Sequence, residues 1–195
     1  MKISKDYFLQ PDVVMLAQNL IGKTLHTKID GAITSGIITE TEAYEGAIDK
    51  ASHAYKGRRT ARTETMFKQG GIAYVYLCYG MHHLFNIVTN EKEIPHAILI
   101  RALKPVTGEA HMQQRRGKGV HAKRLTAGPG MVAKAMGIDL HCNGINIGGS
   151  KIWITDEHIN FDKALIKATP RIGVAYAGEA ANWPYRFVVN HGDIR

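Results

Sequence analysis

Thr39-Glu40-Thr41-Glu42-Ala43-Tyr44, then His53, then Gly57-Arg58-Arg59-Thr60-Ala61-Arg62, then Tyr74-Val75-Tyr76-Leu77-Cys78-Tyr79-Gly80-Met81-His82-His83, all fall within the stretch from Thr39 to Asn86. Acidic residues, arginines and tyrosines interleave here more densely than elsewhere in the chain. Thr, Val and Tyr favour extended backbone, which predicts a strand at each end of the stretch. Side chains two apart on a strand share a face, so Glu40, Glu42 and Tyr44 line one surface. Carboxylates there are costly to bury without partners, and the arrangement reads as a site more readily than as core.

Working outward from this stretch, Thr24 to Ile29 and Ala32 to Ala43 form two strands joined by Asp30-Gly31, a dipeptide suited to a tight hairpin turn. Before them, Pro11 to Ile21 is predicted as a helix, with Pro11 at its first position, an apolar face of Val13, Leu16, Ala17 and Leu20, and Gly22 as its stop. The segment between Glu45 and Met66 is irregular, polar and basic, as a long surface loop would be. Tyr74 to Cys78 and Leu84 to Val88 make a second hairpin, with Tyr79 and Met81 at its tip. A large aromatic and a Met at an exposed tip need a cover or a partner.

Beyond the hairpin, Ala97 to Leu103 is an apolar strand carrying Arg101, followed by Pro105 and a helix from about Thr107 to Arg116. Arg115 to Arg124 is a basic connector. Gly128-Pro129-Gly130 opens a short helix to Met136 whose free N–H groups suit an anion. Lys151 to Thr155, Arg171 to Tyr176 and Arg186 to Asn190 are read as further strands. Strands in hairpins with interspersed helices predict a single α+β domain, residues 1–195, around a mainly antiparallel sheet.

The chain has 195 residues, 45% of them hydrophobic, enough to bury a full core. A net charge of +8 favours a polyanionic partner, nucleic acid or an anionic surface. No apolar run approaches a membrane span and the N-terminus lacks a signal-peptide core, so neither membrane insertion nor export is expected. Cys78 and Cys142 form no CxxC pair, which suits free thiols in a reducing cytoplasm. Plainer readings stand beside the functional one. Glu40 and Glu42 could face solvent on an edge strand, the tyrosines could be ordinary sheet aromatics, and Glu40, Glu42, Asp49 and His53 could serve a metal-dependent nuclease. A basic module that binds nucleic acid without catalysis is a further alternative.

Taken together, Glu40-Thr41-Glu42-Ala43-Tyr44, His53, Met66-Phe67, Tyr74-Val75-Tyr76, Tyr79-Gly80-Met81, Asn86, Arg101-Ala102-Leu103, Gly128-Pro129-Gly130, Arg171-Ile172-Gly173-Val174 and Pro184-Tyr185-Arg186-Phe187 resemble the alkyladenine (3-methyladenine) DNA glycosylase family in order and spacing. The resemblance covers nearly the whole chain. It implies a curved antiparallel sheet with a protruding hairpin that enters the DNA minor groove. It further implies a monofunctional enzyme of base excision repair that extrudes alkylated or deaminated purines from duplex DNA and hydrolyses the N-glycosidic bond.

On that resemblance Tyr79 is the intercalating wedge, and Tyr44, His53, Tyr76 and Asn86 line the base pocket, with Asn86 discriminating among purines. Glu42 activates water, which Arg101 and the carbonyl of Ile172 help to hold. Arg58, Thr60 and Met66 lie in the DNA-backbone contact region. Neither a cofactor nor a metal is expected. The partner is damaged double-stranded DNA, not a membrane, and the protein is expected to be a monomer, cytoplasmic and associated with a bacterial-type nucleoid through DNA binding. Ala61, Thr63 and Met131 depart from the residues common in the family, which bears on phosphate contacts more than on chemistry.

Overall fold

A computed structural model describes the chain except Lys118, Asn160, Phe161, Ile194 and Arg195, and the side chain of Lys123. Its short first helix α1, Val13–Asn19, starts later than the periodicity predicts, because Asp12 caps it by accepting the Met15 N–H at 2.8 Å. Pro11 therefore lies before the helix. Strands β1 (Thr24–Ile29) and β2 (Ala32–Tyr44) form the expected hairpin. Asp30 and Gly31, with φ of 53° and 75°, supply the left-handed pair that such a two-residue turn requires.

The second hairpin joins β3 (Ile72–Cys78) to β4 (His82–Thr89). The following strand β5, His96–Thr107, runs past Pro105, so helix α2 begins only at Glu109 and ends at Arg116. Helix α3 is Pro129–Met136, stopped by Gly137 as expected. Strands β6 (Ile152–Thr155), β7 (Lys167–Thr169) and β8 (Arg186–Val188) complete the sheet.

The strand order is β3-β4-β5-β2-β1-β6, with every named pairing antiparallel. Because β1 has six residues and β2 thirteen, only the first half of β2 pairs with β1. Beside the second half lies β8, with Glu42 opposite Arg186, and β7 flanks β8. Glu42 thus sits on an interior strand, not on an edge. The fold is α+β around an open antiparallel sheet, as the sequence predicted.

One face of the sheet carries the main core: Val75, Phe85, Ile87, Ile98 and Ile100 pack with Phe8, Leu16, Leu20, Met112, Val132 and Met136. The opposite face carries Tyr74, Asn86, Leu99 and Glu42 in one row across β3, β4, β5 and β2. Residues between β2 and β3 fold over this second face. Their apolar members Ala54, Met66 and Phe67 pack on Ile72, Tyr74, Val88 and Ala97. The segment read as a surface loop is therefore partly a lid of buried residues.

One predicted strand is absent. Arg171 to Tyr176 bends at Ile172-Gly173 and enters a 3-10 helix from Ala175, because Arg171 is drawn inward by Asp49 and Gly173 takes φ of 78°. The short strand β7 was not anticipated. Of the basic connector, Lys118 lies outside the described residues.

Candidate active site

A cavity of about 810 Å³ opens on the second face of the sheet. Tyr44, His53, Tyr76 and Asn86 line it, with Arg101 and Ile172 on one side and Tyr79 and the start of α3 at its rim. The sequence placed these groups in separate segments; the antiparallel register gathers those on β2 to β5, and the segment after β2 and the Ile172-Gly173 bend bring His53 and Ile172 to them.

Glu42 lies behind this wall. Its side chain is wholly buried, and it is absent from the cavity surface. Oε2 accepts from the Tyr44 hydroxyl at 2.8 Å and lies 3.2 Å from Arg101 Nη1, while Oε1 accepts from the Ile172 N–H at 2.8 Å. A carboxylate offers about four lone-pair directions, so the two hydrogen bonds and the ion pair at Oε2 leave one free on Oε1. Burial and the adjacent Glu42 carboxylate hold the Tyr44 hydroxyl well above its ordinary pKa, so it is a donor at neutral pH.

Arg101 reaches this position through a β-bulge. Between Thr41↔Ile100 and Glu40↔Ala102, β5 advances two residues while β2 advances one, so Arg101 is the extra residue. A bulge re-aims a side chain. Arg101 Nε donates to Glu40 Oε1 at 2.9 Å, and Arg186 Nε donates to the same oxygen at 2.6 Å. The two carboxylates do share a face, but their surroundings differ: Glu40 anchors two arginines, whereas Glu42 is held among an arginine, a phenol and a peptide N–H.

The aromatic wall is equally fixed. His53 Nδ1 lies 2.9 Å from the Tyr74 hydroxyl, and Arg62 Nη2 lies 3.2 Å from Nε2. A guanidinium can only donate, so Nε2 is the acceptor and the imidazole is neutral, with its proton on Nδ1. Burial, Arg62 and Arg58 push the His53 pKa down to about 4, in agreement. The His53 ring meets Tyr76 edge-on with centroids 4.6 Å apart. Burial raises the Tyr76 phenol well above its ordinary range.

Asn86 donates from Nδ2 to Tyr74 O at 3.1 Å and Leu84 O at 3.5 Å. Both amide hydrogens being drawn to the main chain, Oδ1 is the atom left to the cavity.

Tyr79 is 87% exposed and Met81 71% exposed. Tyr79 (φ 51°) and Gly80 (φ 69°) form the turn that Met81 N–H closes onto Cys78 O at 3.1 Å. A left-handed non-glycine residue costs roughly 1–2 kcal/mol, and here it places an exposed phenol at the hairpin tip. Exposed Ile172 and Tyr176 also line the cavity.

The chain is similar to known proteins over nearly its whole length. The model of the methylpurine-DNA glycosylase family matches residues 7–193. The chain belongs to that family. It is a DNA glycosylase. A protein of Chlamydia felis is 47% identical over 189 residues, covering 96% of each chain. One of Chlamydia pneumoniae is 46% identical over 194 residues, covering 98% of this chain and 96% of the relative. One of Bacillus cytotoxicus is 43% identical over 189 residues, covering 92% of each. All three carry the name "Putative 3-methyladenine DNA glycosylase".

Of the positions expected in the glycosylase's DNA-backbone region, Arg58 and Thr60 are exposed, and Thr60 N–H donates to Thr63 Oγ1 at 2.8 Å. Met66 differs. It is 2% exposed and lines the cavity.

Arg62, Arg171 and Arg186 are among the arginines given no role from the sequence. Arg62 lies over the Tyr76 ring at 4.7 Å, and Arg186 holds Glu40. Arg171, fully buried, pairs with Asp49, donates to the carbonyls of Ala43 and Ala180, and lies 4.8 Å over the Tyr44 ring. Asp49 is thereby committed to an ion pair, and the quartet of Glu40, Glu42, Asp49 and His53 is not gathered around one point. Among the described residues no helix is long and apolar enough to cross a membrane.

Proposed function

We propose that this glycosylase acts on duplex DNA carrying an alkylated or deaminated purine, such as 3-methyladenine, which it turns out of the helix into the cavity. The single observation that carries this reading is the row Tyr74, Asn86, Leu99, Glu42 across one sheet face, with the exposed Tyr79 hairpin at the end of the cavity it underlies.

A duplex hides the glycosidic bond, so the base must leave the stack at a cost of a few kcal/mol, least when it is damaged. Tyr79 takes the vacated space, and Tyr44, His53 and Tyr76 receive the base. Each aromatic stack contributes roughly 1–3 kcal/mol, enough to offset extrusion. As the bond to the base breaks, the sugar gains oxocarbenium character, and a buried carboxylate both stabilises that charge and takes the proton of the attacking water.

Glu42 is that carboxylate. Its free lone pair on Oε1 accepts the water, and Arg101 and the Ile172 main chain position it. Since Glu42 has no exposed surface in the free protein, water reaches it as the Tyr44 ring or the Ile172-Gly173 bend shifts around the bound nucleotide. Arg58 and Thr60, exposed on the lid segment, meet the phosphate backbone. The protein acts as a monomer at the bacterial nucleoid.

The test is single-turnover excision from a duplex bearing one alkylated purine, in EDTA, with released base and strand breaks measured together. Base release leaving an intact abasic strand supports the reading. Strand cleavage without base release, or binding without release, overturns it.

A further inference from the structure

Arg62 occupies the cavity that the proposed function gives to the flipped base. The lid segment turns it inward: Thr63 Oγ1 accepts from the Thr60 N–H and donates to Arg58 O at 3.1 Å, a tight bend that aims the next-door Arg62 at the aromatic wall. Its guanidinium carbon lies 4.7 Å from the Tyr76 ring centroid, and Nη2 lies 3.2 Å from His53 Nε2. Arg59, three residues earlier, is held by Glu64 and Glu93. Among the described residues Arg62 has no such carboxylate. A neutral imidazole, the Tyr74 hydroxyl and a π-cloud are what hold it, and the imidazole and the π-cloud are surfaces the base itself would use.

The Tyr76 ring has limited free area. Tyr74 leans on it with centroids 5.4 Å apart and His53 meets it edge-on. The guanidinium covers ring area that faces the cavity. A purine seeking that area must displace it.

We propose that Arg62 is a specificity-determining residue that caps Tyr76 in the free enzyme and raises the barrier to a positively charged base more than to a neutral one. Any entering base must break the cation–π contact, whatever its charge. A cationic alkylpurine additionally approaches a like charge in a cavity of reduced dielectric. Arg62 thus offsets part of the advantage that a cation has on tyrosine walls, and narrows the gap between charged and neutral damaged purines. This inference rests on the base occupying the cavity as proposed above.

The test uses duplexes carrying a single 7-methylguanine, which is cationic, or a single hypoxanthine, which is neutral. Single-turnover excision is measured for the wild type, Arg62→Gln and Arg62→Lys. Arg62→Gln should raise the ratio of 7-methylguanine to hypoxanthine excision by roughly two- to fivefold, and Arg62→Lys should leave it near the wild-type ratio. An unchanged or lower ratio in Arg62→Gln overturns the inference. A wild type that releases neither of these bases, nor 3-methyladenine from a matched duplex, would instead overturn the proposed function.

A second measurement needs no turnover. The δ-methylene protons of Arg62 should be shifted upfield by the tyrosine ring in the free protein and lose that shift when a duplex with a stable abasic analogue and added free base fills the cavity. Ring-shifted resonances that persist in the filled complex, or that are absent from the free protein, overturn the capping position. Should the wild type excise only one of the two bases, this measurement decides.

Discussion

Arg101 lies 3.2 Å from Glu42 and at the same time donates to Glu40 at 2.9 Å, so one guanidinium ties the two carboxylates of β2 together. The tie is unequal. Glu40 has Arg186 as a second cation and Glu42 has neutral donors, the Tyr44 hydroxyl and the Ile172 N–H. Glu42→Gln keeps the shape and removes the proposed base, so excision should fall by roughly 10²–10⁴-fold with DNA affinity retained. Glu40→Gln should fall much less, since it weakens an anchor of Arg101 without touching the proton acceptor. Wild-type excision by Glu42→Gln would sink the assignment.

Water, not an amine, should be the nucleophile. A Schiff-base mechanism needs a lysine at the reacting carbon, and the described residues lining the cavity include none. The product should be an unbroken abasic strand, and borohydride should trap no covalent adduct. A trapped protein–DNA species would require a different mechanism.

Tyr79 and Arg58 should fail in different ways. Tyr79→Ser removes a stacking ring worth roughly 1–3 kcal/mol and should slow duplex excision by about 5- to 100-fold, leaving the chemical site intact. With exposed Arg58 in its proposed phosphate contact, Arg58→Ala should weaken binding to all duplexes alike and reduce the slope of log K against log salt by about one. Equal salt slopes for Arg58→Ala and wild type would remove Arg58 from the backbone contact.

His53 couples pH to stability. Its folded pKa of about 4 lies below the ordinary 6.5, so between those values the unfolded chain takes up the proton first. The stability of the neutral imidazole is therefore fully present above about pH 6.5 and is lost as pH falls toward about 4. Urea unfolding across that window should show a shallower acid loss for His53→Asn than for wild type. Parallel curves would show that His53 titrates normally.

Much of this was legible in the sequence, for reasons that can be named. Alternation in Thr39 to Tyr44 and the Asp30-Gly31 turn fix local strand geometry, and the Tyr79-Gly80 tip follows from an aromatic beside a glycine between two strands. Long-range register is another matter. The Arg101 bulge depends on pairing with a strand sixty residues away, and nothing in Arg101-Ala102-Leu103 itself marks the extra residue. Arg171-Ile172-Gly173-Val174 has strand composition, yet the buried pair with Asp49 overrides that preference and bends the chain toward Glu42. Arg62 was hidden among neighbouring arginines, since charge alone does not say which of them turns inward. The burial of Met66 was not legible either, because sequence adjacency to the exposed Arg58 and Thr60 carries no information on burial.

Selectivity should rest on Asn86. A pocket held by stacking accepts any purine face, so sparing normal guanine requires an obstacle near its 2-amino group. Asn86 stands at the midpoint of the row from Tyr74 to Leu99 and borders the cavity. Its Nδ2 is bound to Tyr74 O and Leu84 O, which fixes the rotamer and leaves Oδ1 as the projecting atom. An oxygen would accept a hydrogen bond from the amino group if there were room, so the obstacle it presents is steric. Asn86→Ser shortens the side chain and should increase release of guanine, most of all from a mismatch, while 3-methyladenine release is largely kept. Removing the amide also costs the two hydrogen bonds to β3 and β4, about 0.5–1.5 kcal/mol each, so thermal stability should fall measurably in the same variant. The two effects separate cleanly: a destabilised protein with an unchanged guanine to 3-methyladenine ratio would make Asn86 a brace of the hairpin, and an altered ratio makes it the residue that reads the purine edge.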